Sequence, residues 1–285
     1  MRGLTGALLL FALAPAAAAS TWTRIPAFEY SHYGFVSDVG DATAIFLNPA
    51  GLSGGPGTNM YLDVTGDDNE LTEYVVALQG KSLGFAYRHR DLHGAGVSPA
   101  SNDPVLGEGN LDTYTGAGGH TWGPVSLGVG AVWTKTDLPG EDAFSWEAGL
   151  LYRVATLAAV GGRLSNIQHP DFLDGEVRPL YTYGFTLRPL FGMLTLSAQG
   201  SHEDGRADII HMAYGAKLGL RSGLTVLATV LDEPGSDPTL GASVTYFFGK
   251  GAVSGRLRTL DGTDGYRGQV AIQAYDQFWQ QGGAP

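Results

Sequence analysis

From Thr58 to Tyr275 the chain alternates apolar and polar positions in runs of about 8–13 residues, the period-2 pattern of half-exposed strands. The runs predict strands at 58–65, 72–79, 82–90, 111–120, 124–136, 143–152, 157–166, 179–188, 192–202, 209–220, 224–232, 239–248, 252–260 and 267–275. In 239–248, Leu240, Ala242, Val244, Tyr246 and Phe248 oppose Gly241, Ser243 and Thr245. In 267–275, Val270, Ile272 and Ala274 oppose Arg267, Gln269 and Gln273. One face is therefore large and apolar; the other is small or polar, with scattered cations.

The connections alternate between short and long. Tight turns such as Gly80-Lys81 and Gly249-Lys250-Gly251 take turns with longer loops at 66–71, 91–110, 137–142, 167–178, 203–208, 233–238 and 261–266. An even number of amphipathic strands with one short-turn rim and one long-loop rim fits a transmembrane barrel. The expected fold is all-β: a closed antiparallel transmembrane β-barrel of about 14 strands, preceded by a short N-terminal plug or hatch segment. A charge facing lipid at the midplane would cost about 2–4 kcal/mol. That cost assigns Arg88, Glu147, Lys217, Arg256, Arg258 and Arg267 to the lumen, where they are candidates to meet a ligand. Tyr74, Trp122, Trp133, Trp146, Tyr152, Phe191, Tyr246 and Phe248 stand near strand ends, as interfacial girdles require.

Residues 1–20 contain Arg2, an apolar stretch over Leu8 to Leu13 and the Ala17-Ala18-Ala19 run. This reads as an export signal cleaved after Ala19. The division that follows is a leader at 1–19, a hatch segment at 20–57, a barrel at 58–275 and a periplasmic tail at 276–285. A bacterial outer membrane is the compartment such a chain would enter.

Composition narrows the function classes. The chain has 285 residues, 43 of them Gly, no Cys and a net charge of −11. A barrel this acidic is a poor partner for nucleic acid. Without Cys there are no disulfide staples, thiol nucleophiles or thiolate metal sites. Most acidic residues fall in the long loops, for example Asp67, Asp68, Asp171, Asp174, Glu233 and Asp237. Solvation accounts for them, and oxygen-rich loops also suit divalent cations bridging to lipopolysaccharide phosphates. The seven His residues are dispersed, and no metal-ligand spacing or nucleophile motif occurs. No catalytic residue, metal site or cofactor is expected, and the chain reads as a non-enzyme.

Before the first strand the alternation is missing. There the chain reads Val39-Gly40-Asp41-Ala42-Thr43-Ala44-Ile45-Phe46-Leu47-Asn48-Pro49-Ala50-Gly51-Leu52. Asp41 is placed to cap a short helix. Asn48-Pro49 ends it, because the residue before proline avoids the α region. Ile45, Phe46, Leu47 and Leu52 would then pack on an inner wall. Asp41, Ala42, Asn48, Pro49, Ala50, Gly51 and Leu52 match a signature that resembles that of the FadL-like outer-membrane proteins, with their PorV and PorQ relatives. The resemblance implies fourteen strands around an N-terminal hatch and passive passage of hydrophobic small molecules. The PorV side of it implies a non-transporting scaffold or secretion-system partner instead. The partners expected are outer-membrane lipid and lipopolysaccharide, with a hydrophobic ligand or a secretion protein according to the reading. The surface loops are modest, the longest being 91–110, and none is a large apolar capture loop.

Overall fold

The computed structural model describes residues 32–55, 57–67, 70–91, 109–137, 142–172, 175–190, 193–206, 209–220, 222–234, 236–259 and 266–275. The expected leader at 1–19, residues 20–31 of the hatch segment, most of the 91–110 loop and the tail at 276–285 lie outside the described residues. So do Asp68, Asp174 and Phe191.

Each predicted run forms a strand. In chain order they are β1 (Thr58–Asp67), β2 (Glu70–Gly80), β3 (Leu83–Asp91), β4 (Asn110–Trp122), β5 (Val125–Thr136), β6 (Ala143–Val154) and β7 (Ala158–Ser165). A small hairpin follows, β8 (Asp171–Phe172) with β9 (Gly175–Glu176). Then come β10 (Leu180–Leu187), β11 (Leu194–Glu203), β12 (His211–Gly219), β13 (Leu224–Asp232), β14 (Thr239–Phe248), β15 (Gly251–Thr259) and β16 (Tyr266–Tyr275). All strands except β8 and β9 join one closed antiparallel barrel of fourteen. Neighbours in space are neighbours in sequence, apart from the seam where β1 pairs β16 from Asn59↔Tyr275 to Gly66↔Gly268. Closure leaves no unpaired strand edge, the condition for a sheet to exist in hydrocarbon.

The two faces sort as the alternation requires. Outward positions carry exposed apolar side chains, such as Phe85 at 53%, Val270 at 55% and Ile272 at 50%. Inward neighbours are buried and mostly small or polar, among them Ala86, Thr115, Ser145, Thr186, Ser243 and Gln269. Lumen hydroxyls satisfy one another across strands: Thr182 with Ser201, Thr186 with Ser197 and Thr245 with Ser254, each at 2.8 Å. Of the expected girdle residues, Trp122, Trp133, Trp146, Tyr152, Tyr246 and Phe248 are exposed on the outer face. Tyr74 joins an outer aromatic row, with its ring centroid 5.9 Å from that of Tyr87 and 4.9 Å from that of His89.

Residues 32–55 do not join the sheet. They hold a short helix, α1 (Ala44–Leu47), and a 3-10 turn at Pro49–Gly54. The helix starts later than expected: its N-cap is Thr43, not Asp41. Asp41 instead builds the turn that leads into it. Its carboxylate accepts the Thr43 backbone N–H at 2.9 Å, and its carbonyl accepts the Ala44 N–H at 2.9 Å. The end is where proline chemistry puts it, with Asn48 extended at φ −166°, ψ 105°.

Candidate functional site

The candidate site is the lumen, together with the inner segment packed into its short-turn half. Apolar residues of that segment (Ile45, Phe46, Leu47, Leu52) form one buried cluster with inward wall residues, including Tyr61, Val75, Ala86 and Leu151. Burying side chains of this size is worth about 1.5–3 kcal/mol each. This contact holds the segment as a core holds a helix.

Asn48 is the central polar contact. It is fully buried. Its amide donates to the Val36 carbonyl at 2.8 Å and to the Leu150 carbonyl of β6 at 3.0 Å. Its Oδ1 accepts the Ala50 N–H at 3.1 Å, which caps the 3-10 turn. One amide thus ties two parts of the segment to each other and to the wall. The other motif residues have equally specific places. The Ala42 N–H donates to Asn59 Oδ1 at 2.9 Å, and Asp41 Oδ2 accepts from Gln273 Nε2 at 3.1 Å. The Leu52 carbonyl accepts from Gln79 Nε2 at 2.7 Å. Pro49, Ala50 and Gly51 are buried in the turn. A Cβ at Gly51 would lie 2.6 Å from Val39 Cγ2, so only glycine fits there.

The wall is shaped to receive this segment. A Cβ added to Gly84, Gly119, Gly128, Gly149, Gly161 or Gly215 would come within 3.0 Å of atoms of residues 35–50. Gly128 and Gly149 are cross-strand partners and face Asn48, Pro49 and Ala50. The missing side chains of the wall are the seat of the inner segment.

The predicted lumen charges all face inward, and several are paired. Arg88 meets Glu73 at 2.8 Å, both nearly fully buried. Arg256 donates to Asp63 Oδ2 at 2.9 Å and to the Tyr61 hydroxyl at 3.0 Å; Gln269 donates to the same carboxylate oxygen at 2.8 Å. Its guanidinium also lies 5.7 Å from the Tyr33 ring centroid of the inner segment. Glu147 pairs with Arg163 at 2.5 Å, and Arg163 also donates to the Phe46 carbonyl. Lys217 pairs with Asp38 at 2.5 Å. Arg258 and Arg267 are cross-strand partners on the same face as Arg256.

Two cations that bind the inner segment escaped the sequence reading: Arg153 and Arg163. Arg153 donates to the Val39 carbonyl at 3.0 Å, and Arg188 pairs with Asp38 at 2.6 Å. Arg163 could have been found, since it shares the polar phase of its strand with Ala159 and Gly161. Arg153 sits at a strand end, where alternation gives no sign of direction, whereas Arg188 falls on the polar phase of its run with Thr182, Gly184 and Thr186. Around Asp38, burial pushes the carboxyl pKa up, but Lys217 and Arg188 outweigh it and hold it at about 2. A depressed carboxylate stabilises above its usual value of 3.8 and loses that contribution as pH falls through about 2. The Asp38 carboxylate is therefore charged at every physiological pH.

A cavity of about 100 Å³ lies between residues 33–41 and the wall of β11 to β16. Hydroxyls line much of it (Thr195, Ser197, Thr225, Ser243, Thr245, Ser254), beside Phe35, Leu227 and Phe247. Among the described residues, no group of three or more His, Cys, Asp or Glu is arranged to hold a metal ion.

Comparison with known proteins places the fold. No known family's profile matches the chain, and no curated protein matches it in sequence. Solved structures do. The toluene transporter TbuX of Ralstonia pickettii is 15% identical, with a TM-score of 0.56 over 85% of this chain and 95% of its own. The Pseudomonas putida toluene transporter TodX is 13% identical, with a TM-score of 0.55 over 90% and 98%. A Pseudomonas aeruginosa FadL homologue is 12% identical, with a TM-score of 0.53 over 90% and 100%. The chain has the fold of these proteins.

Proposed function

We propose that this chain is a bacterial outer-membrane barrel for passive passage of hydrophobic small molecules, with residues 20–57 as the hatch that closes its lumen. The observation that carries the reading is the fold shared with TbuX, TodX and the FadL homologue across most of this chain. The N-terminal motif supports it, because its residues meet the wall through specific buried bonds. The lumen needs no catalytic group for this work. A ligand would shed water into a partly apolar interior, a favourable transfer of about 25 cal/mol per Å² of apolar surface. On this reading the ligand enters at the long-loop rim and leaves when the hatch yields.

Liposomes carrying the purified full chain are expected to take up toluene, or a neutral hydrophobic dye, faster than empty liposomes. Equal rates with correctly folded protein would end the transport reading. A protein partner co-purifying with such an inactive barrel would favour a non-transporting scaffold.

A further inference from the structure

Three cations gather around one carboxylate at the short-turn mouth of the lumen. Asp38, from the inner segment, meets Arg188 just after β10 at 2.6 Å and Lys217 on β12 at 2.5 Å. Arg153, near the end of β6, lies in electrostatic range of both Asp38 and Arg188. It makes no ion pair among the described residues; its bonds go to the Val39 carbonyl and to Ser126 Oγ. Asp41 borders the same cavity, but Thr43 and Gln273 engage its two oxygens. The locality thus carries three positive charges, and one carboxylate pairs with two of them.

The group is also reachable. Side chains of Asp38, Arg188 and Lys217 are 17%, 22% and 27% exposed, and the cavity of about 100 Å³ reaches Asp38 and Lys217. A water occupies about 30 Å³ of liquid volume, so the cavity is sized for a few waters or one small oxyanion. Guanidinium and ammonium donors aimed at one oxygen pair make charge-assisted bonds, the chemistry that holds carboxylate and phosphate.

We propose that Arg153, Arg188 and Lys217 form an oxyanion site at this mouth, with the Asp38 carboxylate as its resident occupant. A solute carboxylate or phosphate competes with Asp38, and its binding loosens residues 32–41 from β10 and β12. The functional consequence rests on the reading of the inner segment as a hatch; the site itself does not.

The test is calorimetric titration of the purified full chain in a non-ionic detergent, with inorganic phosphate and with benzoate, each against a micelle blank. Asp38→Asn removes the resident charge and keeps the shape, so both anions are expected to bind about tenfold tighter or more than to the unaltered chain. Adding Arg188→Gln and Lys217→Gln should abolish that gain, and added salt should erode it. Equal gains for phosphate and benzoate would mark a site for free oxyanions. A larger gain for benzoate, lost in Phe35→Ala, would mark a site for the head of an apolar ligand. Either result upholds the site. Unchanged affinity across these variants, each shown to be folded by circular dichroism, would overturn it. Toluene uptake is read separately, so failure of the transport reading and failure of the oxyanion site are distinguishable.

Discussion

A Gly128→Val, Gly149→Val double variant is expected to turn a closed barrel into an ion-conducting one. Both glycines face residues 48–50, and a Cβ at either would strike those residues at distances no side chain tolerates. The atoms in the way are mainly backbone of Pro49 and Ala50 and the buried amide of Asn48. None is the loose end of a flexible side chain, so they cannot step aside. Overpacking of this kind costs about 1–3 kcal/mol per site. Each 1.4 kcal/mol is about a tenfold change in an equilibrium constant, so the two together shift seating by roughly two orders of magnitude. The strands themselves keep their hydrogen bonds, because the added methyl groups point into the lumen. In planar bilayers the variant should conduct well above the unaltered chain. A folded double variant that stays as closed as the parent would show that the glycines are not a seat.

The second large effect is expected at the Asp63–Arg256 pair. Both side chains are almost completely buried, and Tyr61, Gln269 and Arg256 all converge on one carboxylate. Removing one partner of such a pair leaves a buried charge without its counter-ion, at a cost of about 3–5 kcal/mol. Asp63→Asn and Arg256→Met should each lower the denaturant midpoint of the barrel sharply. The double variant should lose less than the sum of the two, because the uncompensated charge is gone. Strict additivity in the equilibrium unfolding of the three variants would show that the two groups do not act as a pair. Arg256 also faces Tyr33 of the inner segment, so its loss should loosen the segment as well as the wall.

The barrel was legible in the sequence because its signal is one of period and phase. All fourteen strand runs stand where alternation puts them, and outward residues such as Val244 and Ile272 are those the apolar phase selects. The β8–β9 hairpin was not legible: two residues a side give no period, and the whole lay inside the expected 167–178 loop. The side of the lumen charges was an expectation drawn from the cost of facing lipid. Their partners were not legible, because pairing depends on register. Glu147 meets Arg163, and Arg88 meets Glu73, across strands whose alignment alternation alone does not fix.

The inner segment was half legible. Its motif announced a turn and a helix end, and Asn48-Pro49 delivers both. The seat was missed because glycine in a strand reads as a weak position, when here it makes room for a close approach. The usable signal was its phase: Gly84, Gly128, Gly149, Gly161 and Gly215 all fall on inward positions. Asp38 gave no sign at all, since it belongs to no motif and finds its cations on strands far along the chain.

Residues 32–55 can act as a hatch only if they sit inside the wall, and one measurement tests that directly. The chain has no cysteine, so a designed pair reports without background. Ser37 and Thr186 hydroxyl oxygens lie 2.8 Å apart, one on the inner segment and one on β10. Ser37→Cys with Thr186→Cys is expected to form a disulfide on mild oxidation of the folded protein, as readily as the wall pair Thr245→Cys with Ser254→Cys. If the wall pair closes and the 37–186 pair stays reduced, the segment is not where this account puts it, and the hatch goes with it.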